Sequence, residues 1–230
     1  MERNKMSERD NQKQVISNQI YDELKAGILE LRFPPGSFLS DRVIAQKTGV
    51  SRTPVREALK RLSQEGWIVW EERKRAMVKK LTLEDVKEIF FLRKMIEPTA
   101  IAEVFEKGEP RHLAGELSLV ASRMKKAMDT PVVFMKEDMV FHSIIIRFLD
   151  NKRLMEIWDK IADESIRIAI YALYEKRRPQ DVVQEHEDFV EALWSRDLPL
   201  SLECLKNHHE GIFNAYEEKF RMDLEKGANY

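Results

Sequence analysis

A chain of 230 residues, 43% apolar and 34% charged, is long enough for one large domain or two modest ones and has an ordinary globular balance, which excludes a disordered chain. Its apolar runs fall far short of the roughly 20 residues that span a bilayer. The polar start Met1–Gln14 lacks the core of a secretory signal, and the lone Cys204 excludes an internal disulfide, so a cytoplasmic protein without a membrane partner is expected. The net charge of −1 hides a split: residues 1–80 carry 17 Lys+Arg against 11 Asp+Glu and the remainder 22 against 29, which marks the N-terminal end as the candidate nucleic-acid end.

Along the chain, Val15, Ile16, Ile20, Leu24, Ile28 and Leu29 recur at helical spacing and predict an amphipathic helix over about 12–31, stopped by Pro34-Pro35-Gly36. A short helix follows over 41–47, with Ser40 placed to cap it. The turn Thr48-Gly49-Val50-Ser51 leads into a third helix over about 53–65, with Pro54 in its first turn and Val55, Ala58, Leu59 and Leu62 facing inward. Helix, glycine turn, helix is the helix-turn-helix pattern. Beyond Gly66, Trp67–Trp70 and Ala76–Val78 read as two short strands around a charged tip, a wing. Past Thr82 everything reads as helix. Thr82-Leu83-Glu84-Asp85 is a capping box, and Pro110, Pro131, Asn151, Pro179 and Pro199 mark five further starts. The expected fold class is mainly α: a winged helix-turn-helix of three helices and a two-stranded wing over 1–80, then an all-α antiparallel bundle of about six helices over 81–230.

Two stretches of this sequence resemble the GntR family of bacterial transcription regulators in its FadR-like branch. One is Pro35-Gly36, Leu39-Ser40 and the run from Gly49-Val50-Ser51-Arg52-Thr53-Pro54 through Val55-Arg56-Glu57-Ala58-Leu59, with Leu62 and Gly66. The other is Leu92-Arg93-Lys94-Met95-Ile96-Glu97, similar to the opening helix of the family's C-terminal effector (FCD) domain. The resemblance covers nearly the whole chain and implies a DNA-binding regulator with no enzymatic activity. The wing departs from the pattern: where most relatives place a glycine after a basic residue, Lys74-Arg75-Ala76 carries Arg75.

A recognition helix needs long, forked donors near its N-terminus, where it enters the major groove and guanine offers two acceptors. Arg52 and Arg56, four apart on one face, meet that need. Arg42 reaches the same groove or its flanking phosphates, and the resemblance implies DNA contacts at all three. Ser51 and Thr53 are small hydroxyl donors suited to phosphate, and equally suited to capping the helix. Lys74 and Arg75 add cations at the wing. One short helix and a wing read only a few base pairs, so a homodimer on a palindromic operator is expected.

The helical part holds a second chemistry. Asp138 and His142 stack on one helical face at i and i+4, His186 lies by the apolar stripe of the fifth helix of the bundle, and His208 continues the Leu202–Leu205 face of the sixth. An aspartate and three histidines converging from three helices suit a divalent transition metal, zinc or nickel foremost. This also matches the metal-binding members of the family. His209 points about 100° away from His208 and is not expected to share the ion. His112 reads as a surface residue. The resemblance further implies that open metal positions take the carboxylate of a small organic acid effector. Arg93 matches the family motif for that contact and Arg167 is a second cation, although Arg93 could equally pair with Glu97 at i+4. Two rival readings stand beside this one: an acyl-coenzyme A-responsive regulator without metal, and a metal-dependent hydrolase, for which no residue is clearly placed as a general base.

Overall fold

The structure, a computed structural model, describes residues 2–71, 75–176 and 179–225. The chain divides between Leu81 and Thr82 into two compact units. Among the described residues there are nine helices and one three-stranded sheet, and no helix is long and apolar enough to cross a membrane.

The first unit begins with α1 (Glu2–Leu29), whose Ile20, Leu24, Ile28 and Leu29 are buried while Val15 stays half exposed. Leu31 turns left-handed at φ 55° and the two prolines that follow prevent any resumption of the helix. β1 (Phe38–Leu39) comes next, then α2 (Asp41–Thr48), α3 (Arg52–Gln64), β2 (Ile68–Glu71) and β3 (Arg75–Val78). Ser40 caps α2, its Oγ accepting from the Val43 amide at 3.4 Å. The sheet runs β1-β3-β2, all antiparallel, so the wing has three strands where the sequence suggested two. Two residues are too short for apolar alternation to announce a strand. β1 is instead recruited by β3: Phe38 lies opposite Met77 and Leu39 opposite Ala76, and beside them Gly36 N–H donates to Val78 O at 2.9 Å.

α1 packs along α3, which buries Val55, Ala58, Leu59 and Leu62 against it and the sheet. Ser17 Oγ donates to Pro54 O at 3.3 Å, Tyr21 hydrogen-bonds Glu65, and the Arg61 guanidinium lies 3.7 Å from the centre of the Tyr21 ring. The unburied face of α3 is thereby held outward.

The second unit is six helices: α4 (Leu83–Glu106), α5 (Pro110–Lys126), α6 (Pro131–Arg147), α7 (Lys152–Lys176), α8 (Pro179–Trp194) and α9 (Leu198–Glu225). The capping box is complete, with Asp85 N–H donating to Thr82 Oγ1 at 3.1 Å and Thr82 N–H to Asp85 Oδ2 at 3.0 Å. Asn151 and Asp197 cap α7 and α9 with their side chains alone, accepting from the Leu154 and Leu200 amides. α5 packs on α6 and α8, α4 on α9 and α6, and α7 on α6 and α9. Between them lie Leu113, Leu117, Phe134, Phe141, Trp158 and Tyr216, all at most 1% exposed. Trp158 Nε1 donates to Ser143 Oγ at 2.8 Å, which ties α7 to α6.

Gly49 closes α2 at φ 70°, its N–H bonded to Ala45 O, and a side chain there would meet nothing within 4 Å. Any cost of substitution is therefore conformational. Gly49→Ala is expected to lower the opening free energy of α3 amides in native-state hydrogen exchange by about 1–2 kcal/mol, and Gly49→Asn by less, because asparagine tolerates the left-handed region. Equal losses from both would point to something other than backbone strain.

Candidate metal centre and nucleic-acid interface

α6 supplies Asp138 and His142 one turn apart, α8 supplies His186, and α9 supplies His208; all four are at most 4% exposed, and one ligand atom from each lies within 4.8 Å of the others. His186 Nε2 is 3.2 Å from Asp138 Oδ1, His142 Nε2 is 4.0 Å from Asp138 Oδ2, and His142 Nε2 is 3.1 Å from His208 Nε2. Burying a carboxylate is costly without compensating charge or hydrogen bonds.

The other nitrogen of each ring decides what these atoms offer. His142 Nδ1 donates to Glu97 Oε2 at 2.6 Å, His186 Nδ1 to Val182 O at 2.7 Å and His208 Nδ1 to Glu185 Oε2 at 3.0 Å. Each acceptor is an oxygen, so each Nδ1 carries the proton and each Nε2 presents a lone pair. His142 and His208 then face each other lone pair to lone pair, an arrangement that a cation relieves. Pinning one imidazole nitrogen so that the other points at a metal is how histidine sites are usually oriented. Burial lowers His142 to about 4, against the pull of Glu97, and with the neighbouring imidazoles holds His208 well below its ordinary value, so both rings are neutral at neutral pH. The donors fit a borderline divalent ion, one carboxylate with three imidazoles.

Glu97, with no solvent exposure, is the partner that sequence reasoning did not connect to this centre. Its Oε1 accepts from Arg93 Nε at 2.8 Å and from His209 Nε2 at 3.0 Å, while Oε2 takes His142 Nδ1. Burial alone would raise its pKa, but Arg93, His142 and His209 together hold it well below the carboxylate range. Glu97, His142 and His209 also stand close enough to be read as ligands, yet the guanidinium already on Glu97 opposes a second cation there. Four-residue spacing from Arg93 in the motif was the signal for the ion pair. Nothing local announced His142 or His209, or that Glu185 would hold His208.

Arg93 is 1% exposed, and its Nη2 has no hydrogen-bond partner among the described residues. Arg167, on α7, is 3% exposed, and burial lowers it to about 10 against the pull of Glu164, Tyr216 and Asp85, none of which belongs to the four-residue group. His112 is exposed between Glu109 and Glu116, with nitrogen–oxygen distances of 3.7 and 3.5 Å. Against the donors a cavity of about 10 Å³ opens, lined by His142, His186, His208, Glu185, Cys204 and Phe141 among others.

In the first unit, Ser51, Arg52, Thr53 and Arg56 all lie on the exposed side of the N-terminal half of α3, and Arg42 is exposed at the second position of α2. Ser51 occupies the N-cap position without a capping hydrogen bond, so its hydroxyl is not spent on the helix. Arg75 opens β3 with its guanidinium 4.2 Å from the centre of the Phe38 ring, a cation–π contact. A cleft of about 190 Å³ between α3 and the sheet is lined by Asp41, Arg56, Trp70 and Arg75 among others. Lys74 lies outside the described residues.

Residues 16–78 match the family described as bacterial regulatory proteins, gntR family, and residues 88–211 match the FCD domain family. The chain is similar to the gluconate operon transcriptional repressor of Bacillus subtilis, 30% identical over 217 residues that cover 90% of this chain and 88% of that one. Its fold is that of E. coli McbR/YncC, with a TM-score of 0.70 at 21% identity over 89% of this chain and 98% of the other. A metal-free FCD domain aligns with a TM-score of 0.53 at 19% identity, over 62% of this chain and 98% of that domain. The chain belongs to the gntR family and carries an FCD domain: it is a DNA-binding transcriptional regulator, not an enzyme.

Proposed function

We propose that this regulator is a cytoplasmic homodimeric repressor whose grip on a palindromic operator is set by a small organic acid bound at a divalent metal ion, zinc or nickel, held by Asp138, His142, His186 and His208. The observation that carries the metal is the convergence of three Nε2 lone pairs and a buried carboxylate, each ring locked from behind by an acceptor. A carboxylate effector finds two supports. The buried Arg93 Nη2 is an unspent donor, and its charge acts on both His142 and His208. Arg167, buried on α7 beside Glu164, Tyr216 and Asp85, is the second cation of the reading. The metal would hold the acid's carboxylate as a Lewis acid.

The cavity beside the donors has room for about one water molecule. An acid that enters it must therefore separate the walls contributed by α6, α8 and α9. That displacement is the differential contact a ligand needs to bias one conformation over another. Repression as the mode of action follows the name of the gluconate operon relative. At the other end, Arg52, Arg56 and Arg42 read the major groove, Ser51 and Thr53 take phosphates, and Lys74 and Arg75 serve at the wing.

Three measurements test this reading. Metal analysis of protein purified without a histidine tag should find stoichiometric ion in the parent and in His209→Ala, and none in His186→Ala or His208→Ala, with chelator lowering the melting temperature of the parent. Retention in His208→Ala with loss in His209→Ala would move the site to the Glu97 side. In a thermal-shift screen of mono-, di- and tricarboxylates, at least one acid should raise the melting temperature of the metal-loaded protein and not of the chelated one. Finally, Arg56→Ala should cost about 1–3 kcal/mol per half-site and relax preference at one base pair. An equal loss on operator and scrambled duplex would make Arg56 a phosphate contact instead.

A further inference from the structure

Both arginines at the head of α3 are gripped by one carboxylate. Arg52 Nη2 lies 2.9 Å from each oxygen of Asp41, and Arg56 Nε lies 3.2 Å from Asp41 Oδ2. The arginine side chains are each 60% exposed, whereas that of Asp41 is 19% exposed. Asp41 belongs to a different helix, at the first position of α2, which Ser40 caps. We infer that Asp41 is a specificity-determining residue for DNA recognition, holding Arg52 and Arg56 in position for base contact while cancelling part of their attraction to phosphate. This rests on the reading that the two arginines contact bases.

The donor count permits it. A guanidinium has five N–H donors, and a bidentate guanine contact uses two. Asp41 accepts hydrogen bonds from Nη2 of Arg52 and pairs as an ion with Nε of Arg56, so on Arg56 both terminal nitrogens remain for a base. An exposed arginine loses rotamer entropy on docking unless the side chain is already held. The clamp removes that cost in advance for two side chains at once.

The charge count gives the second half. Without Asp41 the pair would bring two positive charges to the DNA; with it the trio brings one. Non-specific binding depends on charge and on counterion release, whereas base readout depends on where the forks point. A carboxylate beside the arginines thus weakens contact with arbitrary duplex more than contact with the operator. As an ion pair on the surface it contributes little to folding, and so can be changed without unfolding the unit.

The test uses the full chain, an operator selected from random duplexes, a scrambled duplex and a salt series. Asp41→Asn should bind the scrambled duplex about 3- to 10-fold more tightly with a salt slope steeper by about one, gain less or lose affinity on the operator, and so lower the ratio of the two affinities. Asp41→Glu, which keeps the charge, should restore most of the ratio. In the double variant Asp41→Asn/Arg56→Ala the ratio should fall below that of Arg56→Ala, but by a smaller factor than Asp41→Asn lowers it in the parent, because only Arg52 is then left for Asp41 to hold. If Asp41→Asn shifts both duplexes by the same factor while Arg56→Ala relaxes base preference, the clamp is overturned and the recognition helix stands. If Arg56→Ala itself leaves base preference intact, the recognition-helix reading fails first. A melting temperature for Asp41→Asn matching the parent, with Asp41→Glu, separates these outcomes from loss of fold.

Discussion

A fully buried carboxylate in a helical bundle must be neutralised or paired, and Glu97 is paired three times: with Arg93 from its own helix, with His142 from α6 and with His209 from α9. Remove any one partner and a desolvated charge loses part of its compensation. These contacts join α4, α6 and α9 at one level of the bundle, within an otherwise apolar core. Because His142 faces Glu97 with one nitrogen and the four-residue group with the other, whatever the group binds is coupled to the ion pair on α4. A buried polar network of this kind stabilises little compared with apolar packing, which argues that it is kept for what it holds.

The first unit solves the opposite problem: it must present charge and not bury it. α1 does so from behind. Ile20, Leu24 and Ile28 pack on the apolar side of α3, and Tyr21 engages both Glu65 and Arg61 at the far end of that helix. The polar side of α3 is left to solvent and the wing closes one flank, with Trp67 and Ile68 buried and Trp70 exposed. Rigidity of this scaffold matters because base contacts tolerate little misplacement.

Much of this was legible from residue order, and what was not has a common cause. Capping residues and helix-starting prolines act within one turn, so Ser40, Thr82, Pro110 and Pro131 announced their elements directly. The spacing of Asp138 and His142 placed both on one face for the same reason. β1 escaped notice because its two residues become a strand only through β3, nearly forty positions later. Glu97 meeting His142 and His209, Glu185 meeting His208, and Asp41 meeting Arg52 and Arg56 are all contacts between elements. No periodicity encodes such meetings; they follow only once the helices have packed. The opposite directions in which the adjacent His208 and His209 face, the first toward His142 Nε2 and the second toward Glu97, were in contrast readable from the turn of a helix.

Of the four tryptophans in the chain, Trp158 alone is sealed from solvent completely, and its indole donates to the hydroxyl of Ser143, the residue that follows His142. The other indole that is buried, Trp67, belongs to the first unit, and Trp70 and Trp194 are each 45% exposed. An indole in a dry, fixed hydrogen bond emits at shorter wavelength than one in water, and the two exposed rings are open to a soluble quencher. With those silenced, the blue edge of the emission comes from two positions, one of which is bonded to the helix carrying Asp138 and His142. The protein thus contains its own optical gauge of movement in α6.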